Sequence, residues 1–223
     1  MGAVYNGNLI TSRKDDLDYL IQCNKYEDYI ITHKANVFNA YKHLLVDEDY
    51  TKRLPEEIDI DEWNEALENL EPEIKAHDDS KYSDEEFEPY RRHFDKTEME
   101  AMRDRENPEQ AKYVEEEYEK AWAHHFLMNP HHPEFWNHTD MVNGQLIPSL
   151  TPRKDGPRDM DLLNILHMIC DWSGMSLKFR QKYSPVSWYN TQATDERKVM
   201  SEKTRHLVYL ILSMMFPEEE VIE

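Results

Sequence analysis

His77-Asp78, within the run His77-Asp78-Asp79-Ser80-Lys81, sets an imidazole beside a carboxylate. More groups of both kinds are spread along the chain: His33 upstream, His124-His125 and His131-His132 downstream, and Asp171 inside an apolar stretch. Neutral imidazole nitrogen and carboxylate oxygen suit Zn, Mn, Fe, Co or Ni. A set of both with no thiolate points away from a structural zinc. Ions held this way orient phosphoryl oxygens and bring the pKa of a bound water towards neutrality, which is the chemistry of phosphate ester hydrolysis. These residues speak to a reaction type and leave the substrate open.

The elements that must position them read as helices. Ile30, Val37, Tyr41 and Leu44 recur at three- and four-residue spacing and predict a helix over 26–46, with His33 on the same inward stripe. A shorter helix over 13–25, capped by Ser12, is expected before it, and an irregular arm before that. Helices are expected over 61–69 and 72–79, the second carrying His77 and Asp78 on its last turn, where an Asp can bridge two metal ions. Ser83-Asp84-Glu85-Glu86 reads as a capping box opening a helix over 84–95. An acidic helix over 107–128 stops at Asn129-Pro130.

Residues 130–157 are punctuated by Pro133, Asn143-Gly144, Pro148, Pro152 and Gly156-Pro157 and read as an irregular active-site loop, with a hairpin as an option near 142–147. A helix over 160–183 carries the stripe Leu162, Ile165, Leu166, Ile169, Trp172 and Met175, with Asp171 embedded in it. A last helix over 196–216 covers the assembly. The expected fold is an all-α bundle of six to eight helices, a single domain over 1–223 with its core at about 26–183.

Each group has a plainer reading beside the functional one. His33 alone would be a core histidine bonded to a carbonyl. Asp171 would be a capping residue or the partner of an Arg or Lys. An unpartnered carboxyl in that apolar segment costs roughly 2–7 kcal/mol before ionisation is counted, so something must compensate it, and a metal ion does so. His124 and His125 are about 100° apart on a helix and cannot share one face; His125 is the favoured ligand. Either or both of His131 and His132 can bind. His138 and His167 are candidates to support a metal-bound histidine through its second nitrogen. His43, His93 and His206 read as structural or exposed. Lys81 is a cation for substrate phosphate or, equally, a charge that complements a helix C-terminus. Arg153, Lys154 and Arg158 form a basic cluster in an acidic chain, either a phosphate clamp or local charge balance.

Composition narrows the function classes. The formal net charge of −20 disfavours non-specific nucleic-acid binding, whereas a small anion remains compatible with a metal-bearing site. Thirteen Tyr, seven Phe and five Trp argue against disorder. Cys23 and Cys170, far apart and in apolar contexts, read as free thiols in a reducing compartment. No leader pattern opens the sequence, and the apolar stretch over 207–216 is too short to cross a bilayer. The expectation is a soluble cytoplasmic protein of a bacterial cell or phage-infected host, with no membrane partner. The aromatics Trp136, Trp188 and Tyr189 are taken as exposed, and a homodimer through them is an option.

His33, then His77-Asp78-x-x-Lys81, then Asp171 in an apolar helix resembles the HD superfamily of metal-dependent phosphohydrolases, at spaced points over about residues 26–183. The resemblance implies Asp78 and Lys81 as catalytic residues and His33, His77, Asp78 and Asp171 as metal ligands. His124/His125 and His131-His132-Pro133-Glu134 resemble the extra ligands of the binuclear members. That implies two divalent ions, Mn, Fe, Co, Ni or Zn with Mg as a further option, bound through His125, His131 and His132 as well. The Gly-Tyr-Pro signature of the cyclic di-GMP members is absent. The stretch from His124 to Trp136 also looks like an uncharacterised family of phage and bacterial proteins. The implied activity is hydrolysis of a small phosphomonoester or phosphodiester, above all a nucleotide, with Lys81, Arg153, Lys154 and Arg158 on the substrate. Two other readings use the same residues: an HD-fold di-iron oxygenase similar to myo-inositol oxygenase, and a non-enzymatic acidic interaction protein.

Overall fold

No Gly or Pro interrupts the chain from Asn8 to Leu54. One helix, α1 (Tyr5–Tyr41), therefore runs where an arm and two helices are expected, and a π-helical turn (Lys42–Val46) ends it. The computed structural model describes residues 5–180, 184–191 and 199–222. Ile30, Val37, Tyr41 and Leu44 are all buried, as their spacing predicts.

α2 (Ile60–Lys75) opens at Asp59, whose side chain accepts from the Asp61 and Glu62 amides. It buries Trp63, Ala66, Leu70 and Ile74 and runs straight through Pro72. Pro72 removes one helical hydrogen bond. The apolar residues on either side, Leu70 and Ile74, are almost wholly buried and carry the helix past it. The separate helix expected over 72–79 is thus absent, and a 3-10 turn (Asp79–Tyr82) follows instead.

Next come α3 (Phe87–Phe94), α4 (Glu98–Glu106) and α5 (Pro108–Met128). The capping box belongs to α4: Thr97 accepts from the Glu100 amide and the Glu100 carboxylate accepts from the Thr97 amide. It does not form at Ser83, because buried Glu86 turns its carboxylate to His124 Nδ1, 2.7 Å away.

The stretch expected as an irregular loop holds a short helix α6 (Pro133–His138) and a hairpin, β1 (Thr139–Val142) with β2 (Gln145–Pro148). The strands pair antiparallel from Thr139↔Pro148 to Val142↔Gln145. Asn143 and Gly144 between them both have positive φ, 51° and 80°, which suits a two-residue hairpin turn. α7 (Leu162–Arg180), α8 (Val186–Thr191) and α9 (Glu202–Met215) complete the chain. Asp161 and Ser201 cap α7 and α9, accepting from the Asn164 and Thr204 amides. The expected ends at 183 and 196 lie outside the described residues.

The fold is all-α with one small sheet. Nine α-helices occur among the described residues against the six to eight expected, because α4, α6 and α8 are too short to show a periodic pattern. The chain divides into two compact units, one of residues 1–31 and 80–124 and one of 32–79 and 125–223. The three boundaries fall inside α1, just after Asp79 and inside α5 between His124 and His125, where composition does not shift.

In the first unit Tyr26, Ile30, Tyr90 and Ala121 are buried, with Tyr29, Phe87, Tyr118 and Trp122 against them. In the second, α2 packs on α7, and Trp63, Leu70, Ile74, Ile165, Leu166, Ile169, Val208 and Ile211 form the core. Tyr189 is fully buried in this core, and Trp136 and Trp188 are partly buried against the core rather than exposed. No described helix is long and apolar enough to cross a membrane. Cys23 and Cys170 are free, and burial pushes the Cys170 thiol up, which leaves it unreactive.

Candidate metal centre

His33, His77, Asp78, His125, His131, His132, His167 and Asp171 meet within the second unit. α1 supplies His33 and α7 supplies Asp171, with His33 Nε2 3.1 Å from Asp171 Oδ1. One turn beyond each residue the two backbones touch. A Cβ on Gly174 would lie 2.9 Å from both the nitrogen and Cγ2 of Val37, and 3.1 Å from its Cα. Only glycine permits that approach, and the approach brings the two ligands into range.

α2 supplies the other pair. Its buried face passes through Leu70 and Ile74 and continues to His77, which is 1% exposed. The Ala76 amide closes on the Pro72 carbonyl, and the chain then leaves the helix. Asp78 has φ 57°. His77 and Asp78 therefore sit in a turn between α2 and the 3-10 segment, not on a last helical turn. A left-handed conformation costs a non-glycine residue about 1–2 kcal/mol, with Asp among the more tolerant types. It re-aims the carboxylate, and the two oxygens of Asp78 face different histidines.

Oδ2 lies 3.5 Å from His77 Nε2 and 3.7 Å from His33 Nε2. Those two nitrogens are 3.0 Å apart, and Asp171 Oδ1 is 3.8 Å from His77 Nε2. Oδ1 faces the other way, 3.4 Å from His125 Nε2 and 3.9 Å from His131 Nε2. His125 Nε2 and His132 Nε2 are 3.0 Å apart. Two ligand atoms 2.0–2.1 Å from one ion stand about 2.9 Å apart at a right angle and about 3.4 Å apart at the tetrahedral angle. Half of these edges are of that size, and the others are 0.1–0.5 Å longer. Buried His131 Nε2 makes no hydrogen bond. The triplets His33–His77–Asp171, Asp78–His125–His132, His77–His131–His167 and His131–His132–Asp171 each bring their ligand atoms within 4.8 Å of one another. These buried groups can hold a metal ion.

Further residues orient the cluster. His77 Nδ1 is 3.0 Å from His167 Nε2, the partner a metal-bound histidine needs on its second nitrogen. His167 stands one turn before Asp171 on α7, a spacing that signals a shared face. The Asn129 carboxamide lies 3.2 Å from His125 Nδ1 and donates to the His125 carbonyl at 2.8 Å. Sequence alone marked Asn129 only as a helix stop. Burial, as the largest influence, pushes His77, His131 and His167 down, His167 to about 4, so these rings are neutral and able to ligate. Burial also opposes charge on Asp171, but its hydrogen bond from His33 outweighs this and holds the carboxyl well below the usual range.

The remaining expected site residues make other contacts. His124 pairs with Glu86 within the first unit. Lys81, 8% exposed and also in that unit, has its ammonium 6.0 Å and 5.7 Å from the Tyr29 and Tyr90 ring centres. Arg153 and Arg158, expected as a phosphate clamp, contact α6 and the hairpin. Arg153 donates to the Thr139 and Gly156 carbonyls and pairs with Asp140. Arg158 donates to the Phe135 carbonyl and Thr139 Oγ1 and lies over the Phe135 and Trp136 rings. Lys154 is exposed. His138 contacts the Ser149 carbonyl, and His93 stacks on Tyr118.

No curated protein and no solved structure matches the chain. Residues 22–214 match DUF5662, described as a family of unknown function. That match spans most of the 223 residues and every member of the cluster, and the chain belongs to this family.

Proposed function

We propose that the protein is a metal-dependent phosphohydrolase of the HD type that cleaves a small phosphate ester, a nucleotide in the first instance. The observation that carries the reading is the carboxylate of Asp78, with one oxygen turned to His33 and His77 and the other to His125 and His131. A carboxylate so placed would serve as a ligand to two ions.

His33, His77, Asp171 and Asp78 Oδ2 would hold one ion; Asp78 Oδ1, His125, His132 and His131 would hold the second. When bound, the ions supply Lewis acidity at the phosphoryl oxygens and a water acidified towards neutral pH. The chain's own contribution is positional and electrostatic. Asp171 stays ionised and His77 and His131 stay neutral, the forms that ligate. The nitrogen-rich donor set favours Mn, Fe, Co, Ni or Zn over Mg. Two carboxylates against two dications leave a positive centre, which draws a phosphate anion into a chain whose formal charge is −20. The order of His33, His77-Asp78 and Asp171 supports the same reading through the HD resemblance.

The test is turnover of a panel of nucleotide mono- and diesters with Mn, Co, Ni and Mg, for the wild type and for H77A/D78A. Phosphate release by the wild type, and loss of both metal and turnover in the double variant, are expected. Full metal content and turnover in the double variant would overturn the assignment. Two irons with a visible absorption band, and no phosphate release, would move the reading to an oxygenase on the same ligands.

A further inference from the structure

We propose that Lys34 is the positioning residue that holds Asp78 in its bridging orientation. The inference rests on the two-ion reading of the site. Lys34 follows the ligand His33 on α1, and its ammonium donates to the His77 carbonyl at 2.7 Å and pairs with the carboxylate of Asp79. One side chain thus grips the residue before Asp78 and the residue after it. Asp78 between them is the residue with φ 57°, a backbone state that a non-glycine residue keeps only when its surroundings enforce it.

The backbone alone holds this turn loosely. The His77 amide reaches the Ile74 carbonyl at 3.3 Å, at the long end for such a bond, and the Asp79 amide reaches the Ala76 carbonyl at 3.0 Å. An ammonium has three donors and no acceptor, so it can serve a carbonyl and a carboxylate together. The placement also couples two ligand sources. α1 carries His33 into the cluster and, one residue on, fixes the turn that carries His77 and Asp78. Lys34 is partly exposed and its partner Asp79 largely so, which makes both open to substitution without disturbing the core.

The experiment compares wild type, K34M and K34R by calorimetric titration with Mn²⁺ of chelator-stripped protein, and by crystal structures of wild type and K34M. K34M keeps the aliphatic stem and loses the donors. It is expected to bind the second ion 10–100-fold more weakly, the usual loss when a group orienting a ligand is removed. K34R, which restores the donors, is expected to recover to within a few-fold of wild type. D79A removes one of the two grips and should fall between them, as D79N should to a smaller extent by losing the charge; both also serve should K34M fail to fold. In the K34M crystal Asp78 should leave the left-handed region. Unchanged Mn²⁺ affinities in K34M or D79A, or an Asp78 that keeps positive φ without the ammonium, would overturn the role of Lys34. A wild type that takes up no Mn²⁺ would overturn the two-ion reading instead, and the K34M backbone would still decide the clamp.

Discussion

Both units bury ionisable groups, and they do so in opposite ways. In the first, Arg91 is fully buried and all five of its N–H groups are used. They go to both oxygens of Glu88, both oxygens of Glu100 and the Asp95 carbonyl, at 2.7–3.2 Å. Glu100 closes the α4 capping box with its remaining capacity. Arg92, with its Nε 3.6 Å from Glu100, adds a second cation against the two carboxylates, so the charges balance within the protein. In the second unit, imidazoles and two aspartates converge, and one ring nitrogen meets another at 3.0 Å in three places. A histidine pair has one proton to share and gains little from such closeness on its own. The contrast separates a charge network that completes a fold from a donor set that can hold a metal ion.

Removing Arg91 should produce the largest change in stability. R91A leaves two carboxylates facing an emptied buried position, and breaking a buried ion pair from one side costs about 3–5 kcal/mol. Urea unfolding should show that loss, while metal content per folded chain stays at the wild-type level. A metal content that fell in step with stability would break the distinction between the two networks.

Gly174→Ala tests the other side. Its Cβ meets the Val37 backbone at 2.9 Å, so the two helices must part, at a cost of about 1–3 kcal/mol for overpacking. Here the metal titration should suffer more than the melt, because the displaced turn adjoins His33 and Asp171. Normal affinity at a reduced melting temperature would reduce Gly174 to a packing role.

The smallest effect is at acid pH. Burial pushes the Glu100 carboxyl up, but the Arg91 bonds and the Thr97 amide outweigh it and hold it below its ordinary value of 4.5. A folded value below the unfolded one stabilises the protein above about pH 4.5, and that stability is lost as pH falls through the folded value. Wild type should therefore lose urea stability on acidification below pH 4.5 more steeply than E100Q. Parallel profiles would show that the Glu100 carboxylate adds nothing to the first unit's stability.

The cluster was legible in the sequence because its members sit on strong signals. His33 shares a stripe with Val37 and Tyr41, Asp171 is an acid on an apolar helix, and His77-Asp78 is a pair that stands out wherever it falls. Local geometry was harder to read. Pro72 looked like a boundary, yet burial on either side kept α2 whole and moved His77-Asp78 into a turn. The left-handed state of Asp78, on which its two-sided exposure of oxygens depends, has no mark in composition. The charge of Arg153 and Arg158 is visible in a sequence, whereas the backbone carbonyls they contact are not. The division into two units was hidden for a similar reason: α1 belongs to both, and its periodicity does not change where they divide.

The central claim is that Asp78 bridges two metal ions. Anomalous X-ray diffraction at a transition-metal edge, on protein crystallised without chelator, tests it most directly. Two anomalous peaks are predicted, one beside Asp78 Oδ2 among His33, His77 and Asp171, the other beside Asp78 Oδ1 among His125, His131 and His132. Anomalous maps with no peak at the cluster, or with a single ion that Asp78 does not touch, would contradict it.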